Sequence, residues 1–275
     1  MADCFPRGKQ TPNQSPLFWV THKDRYLCQL LIRDIEEETK RTLIVYFTDC
    51  DNSTAQIDPT DDIYLTELVK DKRHEGVDLL LETNGGFTDA TEKICALLRA
   101  TCPDLRVIVP RKAKSNGTVI ALCGNEIVLS TTSELGPIDP SIGGIPAEFV
   151  LNAPEGSFNP IEWQMAKTAS QQTRKLAKDL LSSGMLKDWP NDKIDELIEK
   201  LASRNTYHSH GSVIDVGEAK SLGLKINEMA FDNPLWQKIW LLRSMYAFDC
   251  PRNNYSKLFE GEKISTAVTL KSSHP

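Results

Sequence analysis

Four short apolar runs punctuate the first half of the chain: LIVYFTD (Leu43–Asp49), VDLLLET (Val77–Thr83), LRVIVP (Leu105–Pro110) and NEIVLS (Asn125–Ser130). This feature constrains the fold more than any other. Such short, β-branched runs without polar alternation predict strands buried on both faces. The stretches between them have helical spacing. DPTDD (Asp58–Asp62) opens one, carrying Ile63, Leu65, Leu68 and Val69; a second runs from about Thr88 to Arg99; a third starts at RKAKSNGTVIAL (Arg111–Leu122). Strand and helix in strict alternation predict an α/β fold with a mainly parallel sheet and helices on its faces.

Helices are expected at both ends of this core. Phe18, Tyr26, Leu30, Leu31 and Ile35 recur at helical spacing between Pro16 and Arg41. Further helices are expected from about Asn159 to Gly184, from Asp192 to Ser203, from near Asp215, and from Leu235 to Tyr246 with Trp236 and Trp240. Residues 1–16 read as a flexible tail, 17–250 as a single domain and 251–275 as a C-terminal extension. No internal repeat is visible.

Composition narrows the function. The net charge of -6 gives no general reason to expect nucleic-acid binding. No apolar run approaches the roughly 20 residues that span a bilayer. The opening MADCFPRGKQTPNQSP lacks the apolar core of a secretory signal. Seven cysteines, odd in number and without a CxxC pair, read as reduced thiols in the cytoplasm. The five histidines do not cluster with them, so no metal is expected.

Two loops follow the C-terminal ends of strands, the edge at which open α/β sheets bind ligands. In TNGGF, the pair Gly85 and Gly86 serves either a tight turn or an oxyanion site built from backbone N–H groups. No GxxxxGK[ST] phosphate loop is present. In RKAKSNG, Ser115 is either a helix N-cap or a nucleophile at a strand-to-helix turn kept small by Gly117. A serine hydroxyl needs a base. Lys167, in NPIEWQMAKTAS, qualifies if its environment lowers its affinity for a proton; His208 and His210, in YHSHGSVID, titrate near neutrality without help. Asp139, in ELGPIDP, orients a base or holds a turn.

The runs LLLETNGG, KSNGTVIAL, SELGPIDPSI and YHSHGSVIDVGEAKSLGL, in this order, resemble the serine dehydrogenase proteinase family. These are Clp-fold serine proteinases of the Clp-protease/crotonase superfamily, related to signal peptide peptidase A. The resemblance covers roughly Pro16 to Tyr246. It implies a core of repeated ββα units with added N- and C-terminal helices, Ser115 as nucleophile and Gly85-Gly86 as oxyanion hole, helped by Asn116. Lys167 matches the lysine position of the Ser-Lys relatives and is the first expectation for the base, with His210 the alternative. The histidine of the Clp triad would fall near ELGPIDP, where this chain has none. The resemblance further implies a peptide or protein substrate, a homo-oligomer and no cofactor. It leaves two rivals: a crotonase-type acyl-CoA enzyme, and a non-catalytic or latent effector of the same fold. The family's name does not imply a dehydrogenase, and no GxGxxG fingerprint exists here.

Overall fold

The computed structural model describes residues 16–70 and 76–270. The tail expected over residues 1–16 lies, but for Pro16, outside them. Helices α1 (Pro16–Thr21) and α2 (Lys23–Thr39) lead into strand β1 (Thr42–Thr48). The alternation follows as α3 (Asp61–Val69), β2 (Val77–Glu82), α4 (Thr88–Thr101) and β3 (Leu105–Ile108). Then come β4 (Lys112–Ala113), α5 (Asn116–Leu122), β5 (Glu126–Leu129) and β6 (Glu134–Leu135). A hairpin of β7 (Ser141–Ile142) and β8 (Ile145–Pro146) precedes α6 (Ala147–Asn152), α7 (Pro160–Ser183) and α8 (Asn191–Ala202). The chain ends in α9 (Val216–Ser221), β9 (Ile226–Glu228), α10 (Pro234–Asn253), β10 (Tyr255–Glu260) and β11 (Ser265–Thr269).

Among the described residues the main sheet has seven strands in the order β11-β10-β1-β2-β3-β5-β9. The pairs from β1 to β9 are parallel, and β10 is antiparallel to both β1 and β11. Side chains alternate between two cores. Ile44, Tyr46, Leu79 and Leu81 join the core that holds α3, α4, α5, α7 and α8; Leu43, Val45, Phe47 and Leu80 join the one that holds α2 and α10. A sheet covered on both faces has no polar side, which is why its strands read as unbroken apolar runs. Ile94 and Leu98 of α4 are completely buried; each such side chain stabilises the fold by about 1.5–3 kcal/mol.

Residues 255–269, which the sequence sets apart as an extension, supply two strands to this sheet, and α10 runs on to Asn253 rather than ending at Tyr246. The polar character of YSKLFE hides the strand. Lys257 and Glu260 are buried, Lys257 with Nζ 2.7 Å from Asp61 Oδ1 and Glu260 accepting the Tyr246 hydroxyl at 2.5 Å.

A second, smaller layer positions the site. Thr83, just past β2, bridges Ala113 in parallel; β4 pairs with β6; Leu135 of β6 bridges Ile214 in antiparallel sense. Each of β3 and β5 is thus followed by a short strand of this layer, and β3-β4-α5 forms a ββα unit. Thr118 clamps the layer, its hydroxyl donating to Ala113 O at 2.8 Å and accepting from Gly136 N at 3.0 Å. Beside it, β7, β8, α6 and the start of α7 pack on a small core of Ala147, Val150 and Ala166. Asn159 starts α7 with a full capping box to Glu162.

Candidate active site

The smaller layer gathers four segments at one edge. Strands 83, 113 and 135 run parallel, so the residues after them leave on the same side. The 214 segment runs the other way, so the residues before it arrive there. Gly85, Ser115, Asp139 and His210 lie on these four segments.

Ser115 is the N-cap of α5, with φ 53° and ψ -122°, and its side chain makes no cap hydrogen bond. A non-glycine residue pays roughly 1–3 kcal/mol to hold such a conformation, so the position is poor for an ordinary cap. Among the described residues the Ser115 hydroxyl has no hydrogen-bond partner. Its backbone carbonyl accepts from Val119 N, which fixes it to the helix at 3.2 Å.

The glycine loop lies directly against it. Gly85 has φ 101°, and a Cβ there would stand 2.9 Å from Ser115 Cβ and 3.2 Å from Asn116 N. Only glycine allows this approach. Gly85 N–H donates to Thr83 Oγ1 at 3.1 Å. Among the described residues, the N–H groups of Gly86 and Asn116 have no acceptor; the latter is one of the orphan donors of a helix first turn. The Asn116 side chain is turned to the loop instead, with Nδ2 donating to Gly86 O at 2.6 Å and Thr88 Oγ1 at 3.1 Å.

Asp139 and His210 meet. Asp139 is buried and its Oδ1 lies 2.9 Å from His210 Nδ1. Arg204, just past α8, brings its guanidinium to 2.7 Å from Asp139 Oδ2, as an ion pair whose N–H is not aimed along the contact. Lys114 braces the same region: its Nζ donates to Leu135 O and Ser212 O at 3.1 and 3.0 Å and lies 3.2 Å from Glu134. Burial pushes this ammonium below its ordinary value, and Glu134 opposes that shift. With three acceptors around it, Lys114 holds the His210 loop to β4 and β6. Lys167 is elsewhere, on the exposed side of α7, with Nζ 5.1 Å from the Trp163 ring centroid. His208 is exposed and its Nδ1 lies 3.1 Å from Arg204 O.

An open groove of about 770 Å³ runs from Phe87 and Thr88, at the start of α4, along α7. Phe87, Ile142, Ile161 and Met165 give it an apolar lining, and Asp89 stands at its edge, its carboxylate bonded to Gln172. Among the described residues no lysine or arginine lines it.

Sequence reasoning missed Arg204, Thr83 and Lys114 as supports of the site. Arg204 had no signal, because its partner lies far away in the chain. Lys114 had one: a lysine between a strand and a buried helix must find acceptors or remain costly.

The profile of the ClpP-like SDH-type serine proteinases matches residues 56–248. The uncharacterised proteins MJ0137 and MJ1495 of Methanocaldococcus jannaschii are similar. MJ0137 is 30% identical over 179 residues (62% of this chain, 58% of that protein) and MJ1495 29% identical over 157 residues (55% and 52%). The chain thus spans only a little over half the length of these curated relatives. Among solved structures, a serine-to-alanine mutant of the 1510-N membrane-bound stomatin-specific protease aligns with TM-score 0.43 and 18% identity, covering 66% of this chain and 79% of that one. An asparagine-to-aspartate mutant of ClpP1 from Listeria monocytogenes aligns with TM-score 0.46 and 11% identity, covering 73% and 98%.

Proposed function

The chain belongs to the ClpP-like SDH-type serine proteinases, and from that premise we propose that it cleaves peptide bonds through an acyl-enzyme on Ser115, with His210 as base and Asp139 as its orienting acid. The observation that carries this reading is the bond of 2.9 Å between His210 Nδ1 and a buried Asp139, at the edge where Ser115 is held in a strained turn. A carboxylate on Nδ1 leaves Nε2 free to take a proton. Lys167 was the first expectation from the sequence; its exposed place over Trp163 supplies none of the desolvation that a lysine base needs.

The steps follow from the groups in place. Ser115 Oγ attacks the peptide carbonyl carbon as its proton passes to His210 Nε2. The oxyanion accepts from the N–H groups of Asn116 and Gly86, whose loss as donors costs about 3 kcal/mol each in barrier. The C–N bond breaks, the leaving amine takes the proton from His210, and water then releases the acyl group by the same base. In the resting chain Ser115 is not bonded to His210. The reading requires that peptide in the groove, or assembly, close that gap, as resting catalytic pairs often do on binding. The apolar lining favours uncharged side chains in the peptide, and Asp89 disfavours acidic ones.

Homo-oligomeric assembly is part of this reading, on the strength of the ClpP-like family. So is a reducing compartment: the six described cysteines are free and buried. No helix among the described residues is long and apolar enough to cross a membrane.

The test is fluorophosphonate labelling followed by peptide mapping, together with turnover of an apolar fluorogenic peptide. Ser115 carries the label. Ser115→Ala and His210→Ala each lose at least about a thousandfold in turnover, Met165→Glu raises KM, and Lys167→Ala changes turnover little. A label on another residue, or equal loss in Lys167→Ala with His210→Ala active, overturns the assignment.

A further inference from the structure

Arg204 is held from several directions. Its guanidinium faces Asp139 Oδ2 at 2.7 Å and sits 5.6 Å from the Phe149 ring centroid; its NH1 donates to His208 O at 3.3 Å; its own N–H donates to Glu148 Oε2 at 2.6 Å. The question is why a buried carboxylate that already has a histidine should also have an arginine.

The answer lies in which cation neutralises Asp139. A buried anion is costly unless paired. If His210 were its only possible cationic partner, the carboxylate would favour the protonated imidazole. A protonated imidazole has no lone pair with which to take a proton from Ser115. A guanidinium is charged at every working pH. It stabilises the carboxylate permanently and repels a second proton on the ring.

We infer that Arg204 is a positioning residue: it holds Asp139 as an anion so that His210 stays neutral, with Nδ1–H on Asp139 and Nε2 free, at the pH at which the enzyme works. This deepens the reading of His210 as the base and rests on it. The charged and titratable groups facing the pair are few. Asp139 comes from the loop after β6, Arg204 and His208 from the segment after α8, Glu148 from α6, and Lys114 with Glu134 from the β4–β6 pair behind Ser212. Glu148 is spent on the backbone of Arg204 and the polar groups of Ser203 and Asn205. Lys114 is spent on Glu134 and two carbonyls. Arg204 is therefore the cation in direct contact with Asp139.

The experiment compares the full chain with Arg204→Gln and Arg204→Lys. Two readouts are taken: the proton NMR titration of the His210 ring, assigned with His210→Gln, and the pH profile of kcat/KM on the peptide substrate. In Arg204→Gln the ring protonates more readily. Its titration midpoint rises by about one pH unit relative to the unmodified chain, and the acid limb of kcat/KM moves up equally. At neutral pH kcat falls while KM changes little. Arg204→Lys keeps the charge and holds the acid limb in place. A titration and an acid limb that both stay put in Arg204→Gln overturn the inference. If the glutamine variant does not fold, an acid limb that shifts in Arg204→Lys overturns it. A titration that moves while the acid limb stays supports the coupling of Arg204 to His210 and removes His210 as the base, so the two failures are distinct.

Discussion

The backbone of Ser115 explains why a residue in a helix N-cap position is not there to cap. Its φ of 53° with ψ -122° suits glycine, and its hydroxyl leaves the helix N–H groups unserved. The chain accepts this cost at one residue and gains a half-buried hydroxyl that does not cap, against the Gly85 loop. Two substitutions separate cost from purpose. Ser115→Ala keeps a Cβ and so keeps the strain. Ser115→Gly removes it, and is expected to raise unfolding free energy by about 1 kcal/mol while abolishing peptide turnover, read by urea unfolding and a fluorogenic assay. A glycine variant no more stable than the alanine variant refutes the strain. The sequence made Ser115, Gly85 and Gly86 visible because each sits at a strand's end in a short motif. It could not show the contact of Asp139 with His210, because nothing local links two polar loop residues so far apart. From the sequence Asp139 reads first as a turn residue, and Lys167 stands ahead of His210 on resemblance.

At the level of elements, apolar periodicity located strands and helices where burial is apolar, and failed where burial is ionic. The four strands β1, β2, β3 and β5 lie at the runs that announce them. Strand β10 is as buried as they are, but its sequence YSKLFE carries a lysine and a glutamate in the core. Lys257 Nζ lies 2.7 and 2.9 Å from the two Asp61 oxygens, and Tyr46 donates to Asp61 Oδ2 at 2.5 Å. This cluster joins β10, β1 and α3. Burial pushes the Asp61 carboxyl up, and Lys257 opposes that shift. Lys257→Met removes the opposition and leaves a buried anion, at a cost of about 3–5 kcal/mol at neutral pH. The sign with pH is fixed by the raised folded value. Stability linked to a protonated Asp61 is present at low pH and lost as pH rises through that value. The deficit of Lys257→Met is therefore expected to shrink as pH falls from 7 towards 4, measured by urea unfolding of both chains across that range. A deficit independent of pH would assign it to lost packing. Adding Asp61→Asn is expected to recover much of the loss at pH 7.

The whole molecule is a sheet closed between two apolar cores, and this sets its response to base. Among the described thiols, Cys95, Cys102 and Cys123 lie in one core and Cys28 and Cys250 in the other, and Cys50 is buried beside the glycine loop. Burial raises Cys50 and Cys250 from the ordinary 9.0 to about 12, and raises Cys28 further. Burial likewise raises the hydroxyls of Tyr46 and Tyr246. The folded chain keeps these protons after the unfolded chain has released them. Where the folded state binds more protons, stability falls with rising pH. The loss starts near the ordinary thiol value and continues towards the raised one, at up to about 1.4 kcal/mol per pH unit for each group. Unfolding by urea under reducing conditions is expected to show a midpoint that falls steeply between about pH 9 and pH 11. Cys250→Ala, which deletes one titrating group, should lower the overall stability yet flatten that fall by one group's share. If the slope in Cys250→Ala matches that of the parent chain, the thiol is already open to solvent and the two-core packing around α10 is wrong. The same burial accounts for the division of labour along the chain. Among the described residues cysteine, the better intrinsic nucleophile, is buried, and in the function proposed above the reactive edge is left to a serine that would depend on His210, Asp139 and Arg204 for its proton chemistry.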